Sequence, residues 1–181
     1  VAIATVQRNS AQINPALRVL EKAQPNAVII ISTYVSSAAL SRALLQKNIK
    51  ARIMNVSFVG TRALENSLPV GQANGIGVSQ VVPFPWDRWI PVVADYQRLM
   101  RVNNSSARFG FTSLEGFMAA RLITEGIKNV QGPLTREALI TSLKSIKKVD
   151  LGGFQLDLSS NNKQASDYVE LTFFGAQQWE P

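Results

Sequence analysis

The chain has 181 residues, of which 46% are hydrophobic and 17% charged, with 19 Lys and Arg, 12 Asp and Glu, and no His or Cys. Without Cys there can be no disulfide framework or thiolate nucleophile, and without His the Ser-His-Asp and Cys-His catalytic arrangements are excluded. The composition is too apolar for a disordered chain and predicts a globular protein with a sizeable core. No apolar run reaches the roughly 18 residues that a membrane-spanning helix needs.

The net charge of the chain is positive only in its first four-fifths. Residues 1–149 carry 18 basic and 7 acidic side chains, whereas residues 150–181 carry 1 basic and 5 acidic. The densest basic cluster, Lys144, Lys147 and Lys148, is typical of a solvated helix face. The pI of about 10.1 is therefore not evidence of a basic binding patch, and we expect no nucleic-acid partner.

The first residues of the chain are typical of an internal segment of a longer sequence. Residues 1–6 (VAIATV) are apolar and predict a strand, and the chain does not begin with Met. No basic segment followed by an apolar core and a cleavage site is visible. We therefore expect the sequence to be a fragment.

Residues 1–82 alternate predicted strands and helices. Asn14-Pro15 is typical of a helix start, and the unbroken apolar run at residues 27–31 predicts a parallel strand buried on both faces. Successive β-α-β units give right-handed crossovers, so we expect a doubly wound α/β layer. The other predicted elements are helices at 36–46 and 61–67 and strands at 52–56 and 75–82.

The pattern changes after the Pro-rich segment at residues 83–87, which is incompatible with a helix. A helix is predicted at 91–102, and Thr112 and Glu115 predict a capping box for the next helix, with Arg121 paired to Glu125 on its exposed side. Gly132-Pro133-Leu134-Thr135 predicts the start of a third helix. Two strands, 154–158 and 169–174, are predicted to pair as a hairpin around the polar turn 159–162.

Catalytic and cofactor motifs are absent from the sequence. Gly75-Ile76-Gly77 lacks the third glycine of a dinucleotide site and precedes a strand, where such a site must follow one. No phosphate-binding loop occurs, and no acidic residues stand at calcium-loop spacing. We expect no metal, no cofactor and no enzymatic activity; an α/β enzyme that uses carboxylates or a nucleotide is a remote alternative.

The loops that follow two predicted strands carry candidate binding groups. Thr33 and Tyr34 follow the apolar strand, and Asn55, Ser57 and Phe58 follow the next. Ligands bind outside the carboxyl ends of the strands in open α/β sheets, and these hydroxyl, amide and aromatic groups suit a small polar ligand. Ordinary loop residues, with the rings folded back on the core, would give the same pattern.

Six distinctive segments occur in this order: 55–60, 80–87, 113–117 with Ala119-Ala120, 132–137, 151–154 and 169–171. Together they resemble the C-terminal half of the branched-chain amino-acid (leucine/isoleucine/valine) type of ABC-transporter substrate-binding protein. The resemblance implies a periplasmic binding protein type I fold, in which two α/β lobes close on a ligand like a hinge. It implies a periplasmic, extracellular or lipid-anchored receptor that docks on a membrane permease.

The resemblance also assigns parts of the chain to lobes. Residues 1–82 correspond to the second lobe, 83–150 to a crossover and the helices that complete the first lobe, and 151–181 to strands that return to the second. Pro83, Phe84 and Pro85 fall in the crossover, as hinge residues.

Two positions in the resemblance indicate which class of ligand is bound. Tyr34 falls where the family places an aromatic ring against the ligand. Ser57 falls where members that bind α-amino acids place an acid for the ammonium group, and Ser cannot neutralise a cation. The resemblance therefore implies an amino-acid-like or organic-acid ligand, with α-amino acids placed in doubt.

We expect a solute-binding receptor fragment, and the alternative is the ligand-sensing domain of a regulator or receptor with the same fold. An upstream signal peptide would favour transport, whereas an attached signalling domain would favour sensing. We also expect the apolar stripe Leu114, Phe117, Met118 and Leu122 to be exposed in this chain, and hence a missing N-terminal half or self-association.

Overall fold

The computed structural model describes residues 1–159 and 164–175. The chain forms two compact units: unit 1 comprises Val1–Val81 and the segment that begins at Val169, and unit 2 comprises Val82–Tyr168. Most of the predicted turn at 159–162 lies outside the described residues. None of the described helices is both long enough and apolar enough to span a lipid bilayer.

Six helices and six strands are numbered here in chain order. The helices are α1 Asn14–Ala23, α2 Tyr34–Gln46, α3 Thr61–Asn66, α4 Pro91–Asn103, α5 Phe111–Lys128 and α6 Arg136–Ser145. The strands are β1 Ala27–Ile30, β2 Arg52–Val56, β3 Gly77–Gln80, β4 Lys148–Asp150, β5 Gln155–Asp157 and β6 Glu170–Phe173.

Unit 1 is built on a four-stranded sheet of order β1-β2-β3-β6. The first three strands are parallel, with Ile30 opposite Asn55 and Asn55 opposite Val78, and β6 is antiparallel to β3. Each parallel connection passes through a helix, as a crossover between parallel strands requires. This confirms the predicted α/β layer with a mainly parallel sheet.

The core of unit 1 lies on one face of its sheet. Val28 and Ile30 of β1 point into a cluster of buried side chains from α1, α2 and α3. Ile29 and Ile31 point the other way and are 72% and 71% exposed, and Leu171 and Phe173 of β6 are also exposed. The expectation of burial on both faces is therefore wrong within the described residues, since the three helices cover one face only.

The N-terminal segment is not the strand that the sequence predicts. Residues 1–6 have no strand partner among the described residues, and Val1 and Ile3 are exposed. An apolar run becomes a strand only where another strand accepts its backbone hydrogen bonds. The segment is attached near the start of α2, where the Ser36 hydroxyl donates to the Ser10 carbonyl at 2.7 Å.

Unit 2 has a hydrophobic core of its own. Leu114 and Met118 of α5 are buried in it, and Phe117 packs against it. The expected exposure of the apolar stripe on α5 is therefore wrong: most of that stripe is covered within unit 2. The other buried members of this core are Val82, Val92, Val93, Tyr96, Phe109, Phe111, Leu151 and Phe154.

The chain returns to unit 1 later than predicted. β5 pairs antiparallel with β4, with Leu156 opposite Val149, whereas β6 pairs with β3, so the predicted hairpin is wrong. Phe154 is buried in the core of unit 2, and the ring of Tyr168 stacks edge-on against it at 5.4 Å. These contacts keep residues 151–168 in unit 2, so the return is at 168–169 and not at 150–151.

The helix ends and ion pairs of unit 2 differ locally from the prediction. α5 begins at Phe111 after an extended Gly110, and no side chain caps it, so Thr112 forms no capping box. Arg121 pairs with Asp95 of α4 at 2.9 Å and Glu125 with Lys128 at 2.8 Å, because the neighbouring helix supplies a carboxylate that the sequence spacing cannot reveal.

At α6 the predicted N-terminal cap is confirmed, whereas the predicted basic helix face is wrong. Thr135 caps the helix as predicted, since its hydroxyl accepts from the Ala138 amide at 3.1 Å. The basic cluster does not lie on one helix face, because the helix ends at Ser145 and Lys148 belongs to β4.

Two glycines of α5 provide a matched test of the packing between α5 and α6. A Cβ on Gly126 would lie 2.6 Å from Leu143 Cδ2 and 2.8 Å from its Cγ, whereas a Cβ on Gly116 would meet nothing within 4 Å. We expect Gly126→Ala to lower the free energy of unfolding by about 1–3 kcal/mol through overpacking. Gly116→Ala should raise it by about 0.5–1 kcal/mol through the better helix propensity of Ala. Urea denaturation of both variants measures the difference, and equal effects would contradict this packing.

The open sheet face of unit 1 predicts self-association of the 181-residue chain. Exposed apolar patches of this kind mark surfaces that bury themselves against another molecule. We expect sedimentation velocity to show an average mass that rises with concentration, and Ile29→Asn with Leu171→Gln to lower it. Val70→Asn, at an exposed loop residue away from the sheet, is the control. A monomer at every concentration would contradict the prediction.

Candidate functional site

The carboxyl ends of the parallel strands form the candidate site. β1, β2 and β3 run in the same direction, so the segments that follow them leave from one edge of the sheet. Because Ile30 is level with Asn55, the loop that contains Thr33 and the turn that contains Ser57 start from adjacent strands. Neighbouring strands are about 4.8 Å apart, which brings the two segments within reach of one small molecule.

Thr33 and Tyr34 lie where the first loop enters α2. Tyr34 is the first residue of the helix and is 42% exposed. Thr33 has extended backbone at the N-cap, but its side chain does not cap the helix; its hydroxyl donates to the Asn9 carboxamide oxygen at 3.2 Å. The first turn of α2 therefore has no side-chain cap, and the positive end of the helix dipole faces this edge of the sheet.

Ser57 and Phe58 occupy a single 3₁₀ turn, Ser57–Val59, directly after β2. Val59 is buried and anchors the turn, whereas Phe58 is 60% exposed and Ser57 half-buried. Gly60 follows with φ of 76°, a left-handed conformation that lets the chain turn from this segment into α3. The turn thus leaves one hydroxyl and one aromatic ring at the sheet edge.

Asn55 is placed differently from the other four candidates. It is 2% exposed, and neither its carboxamide oxygen nor its nitrogen has a hydrogen-bond partner among the described residues. The alternation along β2 puts it on the same side as buried Ile53, facing the helices. A ligand contact by Asn55 stays a prediction, while its observed position is inside the layer between sheet and helices.

A buried glutamine that no sequence motif marks stabilises this edge of the sheet through side-chain hydrogen bonds. Gln80, fully buried at the end of β3, donates through Nε2 to the hydroxyls of Thr61 and Thr172, each at 3.0 Å. These bonds tie the first residue of α3 and strand β6 to β3. The sequence signal that could have indicated this role is a polar Gln at a position where strand alternation predicts burial, next to an apolar run.

The contact of Asn9 with Thr33 could not be predicted from the sequence, for a different reason. It belongs to the segment predicted to lead out of a strand, and it adopts a left-handed φ of 54°, which Asn tolerates better than most residues. Its contact with Thr33 joins residues 24 positions apart, and no local pattern predicts such a contact.

The predicted hinge residues are anchored in unit 2. Pro83 and Pro85 are buried there, and the Phe84 ring lies 5.0 Å from Trp86 and 6.0 Å from Phe111. The change of unit is at 81–82, just before them. A hinge role for these three residues stays a prediction.

The candidate side chains exposed at this edge of the sheet are hydroxyls and aromatic rings. Among the described residues no group of three Asp, Glu, His or Cys side chains is placed to hold a metal ion. Hydrogen bonds from Arg121 to Asp95 and from the Ser159 hydroxyl to Asp157 lower the pKa of these two carboxyl groups, and both lie in unit 2. The sheet edge of unit 1 offers hydroxyls, an uncapped helix start and two exposed rings, which can orient a small ligand.

The chain is similar to one protein family and to several solved structures. The family model described as periplasmic binding protein matches residues 1–173. A possible leucine/isoleucine/valine-binding protein from Rhodopirellula baltica is 33% identical, with a TM-score of 0.88 over 94% of this chain and 47% of that chain. A substrate-binding periplasmic protein from Ralstonia solanacearum is 25% identical, with a TM-score of 0.83 over 93% of this chain and 48% of that one.

A leucine-binding protein from Thermotoga maritima shares the fold, with a TM-score of 0.75 at 16% identity over 95% of this chain and 48% of that one. The chain thus spans about half the length of the solved structures that it matches. No curated protein sequence gives a significant match. The match over residues 1–173 places this chain in the periplasmic binding protein family.

Proposed function

We propose that the chain is part of an extracytoplasmic solute-binding receptor of an ABC importer, and that it binds a small amino-acid-like or organic-acid solute without altering it. The observation that carries the proposal is the juxtaposition of exposed aromatic rings and hydroxyl groups at the carboxyl edge of a parallel sheet. Membership of the periplasmic binding protein family supports the same function.

Each group at the edge has a distinct role in this proposal. Tyr34 and Phe58 are exposed although they are large and apolar, and their rings supply the flat surfaces against which a ligand loses its hydration. Thr33 and Ser57 supply hydroxyls that set its orientation. Gln80 acts as a positioning residue, because its bonds to Thr61 and Thr172 hold the turn that carries Ser57 and Phe58 in place.

A carboxylate is the ligand group that this half of the site suits best. None of Thr33, Tyr34, Ser57 and Phe58 carries a charge that could pair with an ammonium group. The uncapped start of α2 offers backbone amides and the positive end of a helix dipole, which favour an anion. We therefore propose an organic acid, aliphatic or aromatic, ahead of a zwitterionic amino acid.

The proposed partners follow from the family and from the length of the chain. The receptor would deliver its solute to a membrane permease, in the periplasm or at the outer cell surface. Because the chain spans about half of its solved relatives, a second half or a second chain would complete the enclosure of the ligand. The open sheet face of unit 1 supports the need for such a partner.

The role of Tyr34 can be tested by ligand binding to the full-length protein. A panel of amino acids and aliphatic and aromatic carboxylates is screened by thermal shift, since a ligand that binds only the folded state raises Tm. Tyr34→Ala should weaken the best ligand by about tenfold, the loss of roughly 1.4 kcal/mol of ring contact. Isothermal titration calorimetry measures the change.

Trp89→Ala is the control for Tyr34→Ala, because it removes an exposed ring from unit 2. It should leave the affinity for the solute unchanged. No stabilisation by any member of the panel would contradict the proposed function, and equal effects of the two substitutions would contradict the placement of the site.

Ser57 is expected to decide between carboxylates and amino acids. Ser57→Asp adds a negative charge where we propose an anionic ligand, so it should weaken a carboxylate by about tenfold or more through like-charge repulsion. The same substitution should improve binding of zwitterionic amino acids. Ser57→Asn, which adds bulk without charge, separates the two causes. If Asp and Asn have the same effect on both ligand classes, charge at this position does not set the preference.

A further inference from the structure

The outward face of α4 carries an arginine-rich groove that the solute site does not use. α4 buries Val92, Val93 and Tyr96 in the core of unit 2. The residues at i, i+3, i+4, i+7 and i+8 from Ala94 lie on its other side. Together with Arg88 from the loop before the helix, they line a groove of about 510 Å³: Ala94, Gln97, Arg98, Arg101 and Val102.

Two of the three arginines lie within cation–π distance of aromatic rings. The Arg88 guanidinium carbon lies 5.6 Å from the Trp89 ring centre, and that of Arg101 lies 5.1 Å from the Phe109 ring centre. Neither guanidinium forms an ion pair with a carboxylate among the described residues. A guanidinium at this distance from a ring face gains cation–π attraction while its N–H groups remain able to donate to carboxylates.

The carboxylates near the groove are already engaged. Asp95 accepts from Arg121 at 2.9 Å and from Arg98 at 3.1 Å, and these two bonds hold the pKa of Asp95 below its usual value. Asp87 accepts from the Trp89 backbone amide at 3.0 Å. Four arginines thus face two carboxylates around α4, and the groove keeps an excess of positive charge.

Apolar groups beside the arginines indicate what kind of anion fits. Trp89 is 84% exposed although it is the largest side chain type, and Val102 at the other end of the groove is exposed as well. Trp and Arg are the residues most enriched among those that dominate protein–protein binding. A bare phosphate or a small dicarboxylate would satisfy the guanidinium groups but would leave these apolar groups in water.

We propose that this groove is a docking surface for an acidic segment of a partner protein. Carboxylates of the segment pair with Arg88 and Arg101, and an apolar side chain between them covers Trp89. The surface lies wholly within unit 2, and its use is independent of the solute bound at unit 1.

The test uses a fluorescein-labelled peptide Glu-Glu-Phe-Glu-Glu and fluorescence anisotropy with the full-length protein at low and at physiological ionic strength. Arg88→Glu with Arg101→Glu should weaken peptide binding by about tenfold or more. The control is Arg18→Glu with Arg42→Glu, two exposed arginines of unit 1 whose exchange gives the same change in net charge. The control should weaken binding by about threefold or less, through long-range charge alone.

Two further variants protect the interpretation. Arg88→Lys with Arg101→Lys keeps the positive charge but removes the planar guanidinium groups, so it should weaken peptide binding by an intermediate amount. Circular dichroism establishes that each variant is folded. Trp89→Ala should weaken the peptide without changing the salt dependence. Equal losses in the groove and control variants would overturn the proposal, as would tighter groove-dependent binding of an oligothymidylate of equal charge.

Discussion

The parallel pairing of β1, β2 and β3 is the constraint on which the rest of unit 1 depends. Parallel neighbours must be joined by a crossover, so a helix follows β1 and β2, and the segments after the parallel strands leave from one edge. Gln80 adds a second constraint at that edge, since its buried amide group binds Thr61 and Thr172 and thereby joins α3 and β6 to β3. The candidate ligand groups owe their proximity to these main-chain and side-chain bonds.

Unit 2 depends on a different interaction, the burial of Tyr96. Its ring lies between Phe109 and Phe117, at 5.6 and 5.8 Å, and its hydroxyl accepts from the Gly110 amide at 3.0 Å. These contacts fix the start of α5 against α4. The same orientation of α4 turns Arg98 and Arg101 away from the core. The packing of the unit and its proposed docking surface are thus two consequences of one helix orientation.

Much of the fold could be predicted because the signals for it are local. The bounds of β2 were predicted to the residue, and α1, α2, α3, α4 and α6 were each found close to where capping, proline and periodicity place them. The polar and aromatic residues after β1 and β2 could be selected because strand order alone fixes which loops share an edge. The burial of Asn55 was not predictable in this way, since it depends on which side of the strand the helices cover, and its contact with a ligand stays a prediction.

What the sequence determined by itself is most of the elements, the parallel sheet and the exclusion of His- and Cys-based chemistry, because helix and strand periods and residue types act over a few neighbouring residues. Which surfaces those elements cover was decided only by the tertiary structure. The apolar run at 27–31 is open on one side, residues 1–6 form no strand, and 151–168 stay in unit 2 through Phe154. In each case the outcome depends on which residues distant in the sequence pack or pair with the segment, and a local pattern carries no information about them.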